Sequence, residues 1–513
     1  MEELALWFTG LFPKDDPKQI YFLSGAAGLG KSSIAHQLCT LLDSLEQRSL
    51  GASFFFVRGG GDLESTRLFF STLAYQLSTS QPQLRSRIIS AARTHHERGD
   101  RQQMRHAFED LVRTPLLGAP IGEQGPIVLV VDGLDECQER EMVPPLLGFL
   151  IELARKLPWL QVFVTSRPEP HVLTTFASPE ATAMVHHRSL DDTVDAWGND
   201  VKRYLEETIS KIPSYTQFVR DHPDDFERLV ERAGGIFIYA RIAVNFLDIY
   251  RDDPGESFSL ILSSLGVGVE PLDALYLRVL QSAFPQNYLR ASSRRHSILR
   301  SFLTSIALLQ EHQPPEAIAL IWDGLTRGDV VTMIDRLRSV LLVGTNGAVR
   351  PVHATLAEFL LDDTRCTDPL YHVDQRKGHA QLASSCFDAF SFKTITDCLA
   401  VEPAQQATSA VWQYVSYAVV QWDSHLENAE FSEELLKKLH ALSSSQMGLY
   451  RRSFYSVGIV LIDYDFADRH IKQWLKASNS SWSSHLHAQA AYLCLFTRGT
   501  GFCSRAGDRE YML

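Results

Sequence analysis

The 513-residue chain has few cysteines and no long apolar run, and each shortage excludes a class of protein. Its seven cysteines are scattered, and none forms a C-x-x-C pair, which argues against structural zinc and against a disulfide framework. They are Cys39, Cys137, Cys366, Cys386, Cys398, Cys494 and Cys503. The longest apolar runs, such as 127–131 and 457–462, are far shorter than a membrane span. Since the N-terminal Met-Glu-Glu-Leu does not begin a signal peptide, we expect a cytoplasmic chain in a reducing compartment.

Long blocks of Lys and Arg are missing as well. The formal net charge is −12, and no basic block offsets it. The electrostatic field of a negatively charged protein does not favour binding to nucleic acid or to an anionic membrane, so neither is expected as a partner. The pairs His95-His96 and His186-His187 are adjacent and lack the spacing of helical metal ligands. The composition does supply 45% hydrophobic residues, enough for several cores over a length that suggests about three or four domains.

The most informative stretch is Gly25-Ala-Ala-Gly28-Leu-Gly30-Lys31-Ser32, which fits G-x-x-x-x-G-K-[ST] without a mismatch. An apolar run precedes it, and a helix-like stretch follows it. Glycines let backbone N–H groups close around a phosphate, because a Cβ atom would block the approach. Lys31 is expected to neutralise β/γ-phosphate charge, and Ser32 to bind Mg²⁺. The predicted nucleotide-binding residues here are Gly25, Ala26, Ala27, Gly28, Leu29, Gly30, Lys31, Ser32 and Ser33.

Short apolar runs alternate with helical periodicity along the first part of the chain. The patterns predict strands at 20–23, 51–57, 126–132 and 160–166, with a weaker fifth strand at 183–187. Helical patterns lie between them, at 33–42, 67–77, about 81–114 and 141–157. Strands that alternate with helices indicate a parallel sheet covered on both faces, with chemistry at the carboxyl ends of the strands.

Carboxylates follow the third predicted strand, in Asp132-Gly-Leu-Asp-Glu136. Asp132 at the strand end is suited to hold Mg²⁺, directly or through water. Asp135 and Glu136 lie just beyond it, where one carboxylate would polarise an attacking water. An acidic loop after a buried strand is the alternative interpretation, and the upstream phosphate-binding motif weakens it, because hydrolysis needs both parts.

An arginine follows the fourth predicted strand, in Thr165-Ser-Arg167. At that position Arg167 would reach a γ-phosphate and report whether it is present. The alternative interpretation is a plain strand terminus before Pro168. Lys31, Asp135, Glu136 and Arg167 are thus the candidate catalytic residues, with Ser32 and Asp132 as the candidate metal ligands.

Beyond about residue 190 the strand signals nearly vanish. Helical periodicity covers 195–205, 226–247 and most of 271–345, and two extended segments flank the turn Gly344-Thr-Asn-Gly347. Helices followed by one small hairpin suggest a winged helix. From residue 370 the pattern is helical again, with Trp412, Trp422, Trp474 and Trp482 as expected packing anchors.

Taken together, the motifs resemble the NACHT branch of the STAND ATPases. The resemblance extends to the fungal set related to heterokaryon-incompatibility proteins, whose ATPase part is of the nephrocystin type. The stretches 52–56, 72–77, 235–240, 272–276 and 352–360 agree with it, and it covers roughly residues 7–430. It implies an α/β P-loop NTPase domain with a five-stranded parallel sheet, followed by helical, winged-helix and all-α C-terminal regions. The expected division is 1–18 lead-in, 19–192 NACHT domain, 193–265 helical domain, 266–365 winged-helix domain, 366–497 helical domain and 498–513 disordered tail.

The resemblance also implies a mechanism. The ADP form is closed, with the winged helix folded onto the nucleotide, and exchange to ATP opens it and drives self-association. His353 falls where an ADP-contacting histidine of the winged helix is expected, although a lone histidine is more often a core or surface residue. Phe237 stands where the family usually has proline in the adenine-contacting segment, which puts that contact in doubt.

The predicted function is therefore an ATP/ADP-binding switch with slow Mg²⁺-dependent hydrolysis, in NLR-like innate-immunity or incompatibility signalling. Its expected partners are the nucleotide and, in the ATP state, other proteins or further copies of the chain. Only about 18 residues precede the first strand, and no Trp-Asp-closed repeats follow the helices. These departures support an alternative, a truncated relative that acts as a nucleotide-binding scaffold without turnover. A kinase-type phosphotransferase is a weaker alternative, since neither an acceptor pocket nor a basic lid is recognisable.

Overall fold

The structure is a computed structural model that describes residues 2–9, 18–45, 49–97, 104–117, 119, 126–191, 194–263, 270–445 and 473–474. The predicted tail at 498–513, Trp482 and most of the last predicted domain beyond residue 445 lie outside the described residues. The chain divides into two compact units. The first is Met1–Ser282 with Arg338–Val340 and Val352–Leu356, and the second is Ala283–Leu337 with Leu341–Pro351 and Ala357–Leu513. The finer predicted domain boundaries stay predictions.

A five-stranded parallel sheet forms the centre of the first unit. Its strands are β1 (Ile20–Ser24), β2 (Leu50–Phe55), β3 (Ile127–Asp132), β4 (Leu160–Ser166) and β5 (Val185–Ser189). Their order across the sheet is β2-β3-β4-β1-β5. Every residue of β1, β3 and β4 is buried, as expected for strands covered on both faces. The predicted parallel sheet is confirmed.

Alternating side chains of the strands supply the cores on the two faces of the sheet. Ile20, Phe22 and Val131 belong to one apolar cluster, which includes helices that follow β2 and β3. Tyr21, Leu23 and their neighbours belong to the other, which includes the helix that follows β1. Because successive residues of a strand point to opposite faces, one apolar run serves both cores.

Helices surround this sheet in the first unit. They are α1 (Glu2–Phe8), α2 (Lys31–Ser44), α3 (Phe69–Ser80), α4 (Pro82–Glu97), α5 (Met104–Ala107), α6 (Thr114–Leu117), α7 (Val143–Lys156), α8 (Pro170–Phe176) and α9 (Pro179–Thr182). A π-helical segment, Phe108–Arg113, joins α5 to α6. Short 3₁₀ turns occupy Gly61–Glu64, Leu134–Glu136 and Arg140–Met142.

The helix α1 lies in the stretch that the sequence leaves as a lead-in. Its Trp7 is almost fully buried, and the indole packs edge-on against Tyr21 with ring centroids 5.5 Å apart. The indole Nε1 donates to the Lys18 carbonyl at 2.6 Å, and the Gln161 amide donates to the Trp7 carbonyl at 3.0 Å. The aromatic anchor therefore joins the first residues to the sheet.

A helical region completes the first unit. It comprises α10 (Val194–Ile209), α11 (Pro213–Asp221), α12 (Pro223–Ala233), α13 (Phe237–Ile249), α14 (Pro254–Leu262) and α15 (Pro271–Ala283, whose last residue belongs to the second unit). The predicted helix at 226–247 is interrupted, because Gly234 (φ 52°) and Gly235 (φ 77°) both adopt left-handed backbone conformations. This break ends α12 at Ala233 and lets a separate helix, α13, begin at Phe237, which matters for the site described below.

The second unit contains helices and one hairpin. Its helices are α16 (Gln286–Arg290), α17 (Ser293–Leu308), α18 (Pro315–Ile321), α19 (Arg327–Arg336), α20 (Thr355–Leu361, which begins in the first unit), α21 (Gln375–Ala389), α22 (Phe392–Leu399), α23 (Ala410–Asn428) and α24 (Glu433–Ser445). Strands β6 (Leu341–Val343) and β7 (Val349–Pro351) pair antiparallel around the expected Gly344–Gly347 turn. None of the helices in the described ranges is both long and apolar enough to cross a bilayer.

Candidate functional site

The phosphate loop, Gly25–Ser32, joins the carboxyl end of β1 to α2. Gly28 (φ 81°) and Gly30 (φ 91°) adopt backbone conformations that favour glycine. Gly30 is the N-cap of α2, and the first helical hydrogen bond runs from the Ile34 N–H to the Gly30 carbonyl at 3.0 Å. A glycine cap brings no side-chain oxygen to the helix end, so the first-turn amides and the helix dipole are suited to an anion.

Lys31 lies over this loop. Its ammonium donates to the carbonyls of Gly25 at 2.7 Å and Ala26 at 2.9 Å. Burial lowers the pKa of Lys31, and the neighbouring carboxylates, first among them Asp135, oppose that shift. The loop thus holds a partly desolvated cation where the motif predicts one.

Asp132 ends β3 and is 3% exposed. The Thr165 hydroxyl donates to its Oδ1 at 2.5 Å and accepts from the Gly133 N–H at 3.0 Å. Burial raises the pKa of Asp132, and the hydrogen bonds from Thr165 and Ser32 oppose the rise. Because β4 lies beside β3 in the sheet, its Thr165 reaches both Asp132 and Gly133 at the end of β3.

Asp135 and Arg167, which the sequence gives separate roles, bind each other. The Arg167 backbone N–H donates to Asp135 Oδ1 at 2.9 Å, and its guanidinium Nε lies 3.0 Å from Oδ2. Both carboxylate oxygens of Asp135 are therefore engaged by the predicted sensor. This arrangement favours a positioning role for Asp135 over proton transfer.

Glu136 has a different environment. Its Oε2 accepts a hydrogen bond from the Arg58 N–H, beyond the end of β2, at 2.9 Å. Burial raises the pKa of Glu136, the Arg58 hydrogen bond opposes the rise, and the charge of Asp135 adds to it. A raised pKa makes a carboxylate a stronger proton acceptor near neutral pH, so Glu136 remains a candidate base.

Ser32 and Asp132 form the candidate metal position. The Ser32 hydroxyl is close enough to Asp132 to lower the pKa of that carboxyl group. Within the described ranges no group of three or more His, Cys, Asp or Glu side chains is placed to hold a metal ion. Two protein oxygens fit Mg²⁺, which keeps several waters and takes further ligands from phosphates.

Phe237 begins α13 beside the phosphate loop. A Cβ atom built on Gly30 would lie 3.7 Å from the Phe237 ring, and one built on Gly28 would lie 2.2 Å from Ile238 Cγ2. The Ile238 N–H also donates to the Gly28 carbonyl at 3.4 Å. The start of α13 thus packs against the loop, with Phe237 next to Gly30 and Ile238 next to Gly28.

His353 belongs to the first unit, within Val352–Leu356. Its Nδ1 lies 2.9 Å from the Thr355 hydroxyl and accepts from the Thr355 N–H at 3.3 Å. The Thr355 hydroxyl in turn meets the phenol of the buried Tyr276 at 2.8 Å. The ring is therefore held through Nδ1, and the predicted nucleotide contact of His353 stays a prediction.

Sequence analysis missed two groups at the carboxyl end of the sheet. Asp191 accepts a hydrogen bond from the Ala26 N–H at 3.0 Å, and the Arg58 N–H is the partner of Glu136. Asp191 lies two residues after the end of β5 and Arg58 three residues after the end of β2, so both fit the rule that places chemistry at the carboxyl ends of parallel strands. The predicted fifth strand at 183–187 ends four residues before Asp191, so the rule indicates this region of the chain but not the residue itself.

A family match covers part of the chain. Residues 6–167 match the family described as "Nephrocystin 3, N-terminal", which is about a third of the sequence and contains the phosphate loop, Asp132 and Arg167. No curated protein matches. Eleven chains of solved structures match. One is "Structure of Drosophila ORC bound to DNA", at 12% identity and a TM-score of 0.26, over 94% of this chain and 100% of that one, and a likeness this weak carries no argument. On its loop and strand order, the first unit has a P-loop NTPase fold, and residues 6–167 of it are similar to the nephrocystin 3 N-terminal family.

Proposed function

We propose that the chain is an ATP/ADP-binding switch of the STAND type, with NACHT character, and that it hydrolyses ATP slowly with Mg²⁺. The observation that carries the proposal is the convergence of Lys31, Asp132 and Arg167. They follow or end three neighbouring strands, and the charges of Asp132, Asp135 and Arg167 all act on Lys31. A cation over a glycine loop, a metal-suited carboxylate and a second cation are the parts that phosphoryl transfer needs.

Each residue has a distinct task in this proposal. Lys31 and the loop amides bind the phosphates, and Ser32 with Asp132 holds Mg²⁺, which neutralises phosphate charge when bound. Glu136 accepts a proton from the attacking water. When ATP is bound, Arg167 leaves Asp135 and contacts the terminal phosphate. Whether Arg167 contacts Asp135 or the phosphate therefore reports which nucleotide is bound.

The hydrolysis proposal is tested by phosphate release from the full chain. Glu136→Gln removes the proton acceptor but keeps the hydrogen bond from Arg58, so it is expected to lower turnover about a hundredfold while leaving ATP bound. Asp135→Asn keeps a polar group against Arg167 and is expected to have a smaller effect. Turnover that survives Glu136→Gln and is lost in Asp135→Asn would reverse the assignment.

The second candidate is a nucleotide-binding scaffold without turnover. The observation in its favour is that both candidate bases are engaged, Asp135 by Arg167 and Glu136 by the Arg58 amide. Tightly bound ADP with no phosphate release in the unmodified chain would support it. Such a result would also remove the slow-ATPase part of the first proposal.

The signalling part of the proposal rests on the resemblance. A winged-helix lid, with His353 as its nucleotide contact, would open on exchange to ATP and expose a surface for self-association or for another protein. We place this switch in the cytoplasm, in NLR-like immunity or incompatibility signalling of the fungal kind, without a nucleic-acid partner. Light scattering with ADP and then with a non-hydrolysable ATP analogue tests it, since the switch predicts a larger particle with the analogue and the scaffold predicts no change.

A further inference from the structure

Asp191 is fixed beside the phosphate loop by the pairing of β5 with β1. Ser189 stands opposite Ser24 in the parallel register, and the Leu190 N–H donates to the Ser24 carbonyl at 2.8 Å. The Asp191 N–H donates to the Ser189 hydroxyl at 3.2 Å. The last residue of β1 and the residue before Asp191 are therefore hydrogen-bonded neighbours, and the sheet sets where the carboxylate lies.

The Asp191 carboxylate binds the loop itself. Its Oδ1 accepts from the Ala26 N–H at 3.0 Å, while the carbonyl of Ala26 accepts from the Lys31 ammonium at 2.9 Å. The Asp191 charge also acts on Lys31. The Asp191 carboxylate and the Lys31 ammonium thus bind the same residue of the loop, Ala26. In such loops the lysine is the group that reaches the β- and γ-phosphates.

We propose that Asp191 determines nucleotide specificity by weakening the binding of ATP relative to ADP. The proposal rests on the proposed function, because it concerns the same nucleotide site. A γ-phosphate brings additional negative charge to the region of Lys31, where the Asp191 carboxylate repels it and competes for the same cation. ADP carries no such group, so its binding is affected less. The carboxylate therefore biases the switch toward its ADP form.

The expected effect is modest because Asp191 is exposed to solvent. Screening reduces the interaction of exposed charges, and we expect about a fivefold change in the ratio of ATP to ADP affinity. The effect shrinks as the salt concentration rises, since exposed charges are screened over a shorter distance. A purely structural role for Asp191 would show no such salt dependence.

Two substitutions separate charge from shape. Asp191→Asn removes the charge but keeps an oxygen that accepts from the Ala26 N–H, whereas Asp191→Ala removes both. Asp200→Asn is the matched control, because Asp200 is exposed on α10 and the change removes the same charge. Dissociation constants of ATP and ADP are measured for the full chain and each variant, with Mg²⁺ at low and high salt.

The proposal predicts that both Asp191 variants gain about fivefold in ATP affinity relative to ADP at low salt, and that Asp200→Asn does not. A ratio that stays unchanged in Asp191→Asn, or that changes only in Asp191→Ala, overturns it while the unmodified chain still binds nucleotide. Failure of the unmodified chain to bind either nucleotide is a different result, which overturns the proposed function as well.

Discussion

Replacing Thr165 by valine tests how β4 supports the site. The Thr165 side chain is fully buried, donates to Asp132 at 2.5 Å and accepts from the Gly133 N–H at 3.0 Å. Valine has nearly the same shape, so Thr165→Val opens no cavity. It does remove a hydrogen bond to a buried carboxylate and leaves the Gly133 N–H without this acceptor.

The expected cost follows from these two contacts. A hydrogen bond to a charged group contributes about 1.5–3 kcal/mol, and a buried donor left without a partner costs about 1–3 kcal/mol. Asp132 recovers part of the loss by taking up a proton, because the Thr165 bond is one of the contacts that lowers its pKa. We therefore expect a net loss of about 3 kcal/mol.

Hydrogen exchange measured by mass spectrometry detects the loss of stability in the β3 segment itself. A local measurement is needed because a chain of two compact units does not have to unfold in one step. Thr165→Val is expected to speed exchange of the β3 amides about a hundredfold. Thr165→Ser keeps the hydroxyl and is the matched control, with a change of about tenfold or less from its missing methyl group. Equal exchange in the two variants would refute the account of the Thr165 contacts.

Two further predictions concern a backbone and a pair of side chains. Gly28→Ala places a Cβ 2.2 Å from Ile238 Cγ2 at φ 81°, so we expect at least about tenfold weaker nucleotide binding by calorimetry. Gly324→Ala, at φ 75° with nothing within 4 Å, is its control and is expected to leave binding unchanged. In the second unit, His379 and His425 meet through their Nδ1 atoms at 2.8 Å, and burial lowers the pKa of His379 to about 4 and that of His425 well below its usual value. Below about pH 6.5 the unfolded chain therefore binds more protons than the folded chain. The stability that depends on this histidine pair is complete above that pH and falls as the pH is lowered toward about 4. In urea unfolding, His379→Gln is expected to reduce the slope of unfolding free energy against pH by up to about 1.4 kcal/mol per pH unit. His96→Gln, at an exposed histidine, is expected to leave that slope unchanged. Equal slopes in the two variants would contradict the assignment.

The sequence predicted those parts of the fold that depend on local patterns. Continuous apolar runs marked β1, β3 and β4, because strands covered on both faces leave no polar face. The phosphate loop was readable from its glycines and Lys31, since backbone conformation and charge are encoded in a few adjacent residues. The hairpin around Gly344–Gly347 was readable from its turn for the same reason.

The rest depends on contacts between distant residues, which periodicity does not specify. Nothing in Asp132-Gly-Leu-Asp-Glu136 indicates that Asp135 pairs with Arg167 while Glu136 pairs with the Arg58 amide. The sequence did not indicate that Trp7 packs on the sheet. Its partners, Tyr21 and Gln161, lie on strands, and local periodicity does not show which strands it meets. The partners at the site follow from the strand order, which places the ends of β2, β3 and β4 side by side. Trp7 instead meets β1 and β4 because α1 packs on the sheet.

The central claim is that the loop and Lys31 bind the phosphates of a nucleotide. Equilibrium binding of ADP and ATP with Mg²⁺, measured by calorimetry on the full chain and on Lys31→Ala, tests it most directly. Lys156→Ala is the control, because Lys156 lies on α7 and pairs with Glu152 away from the loop. The account predicts binding by the unmodified chain and the control, and a loss of at least about a hundredfold in Lys31→Ala. Equal binding by all three proteins, or none by any, would contradict it.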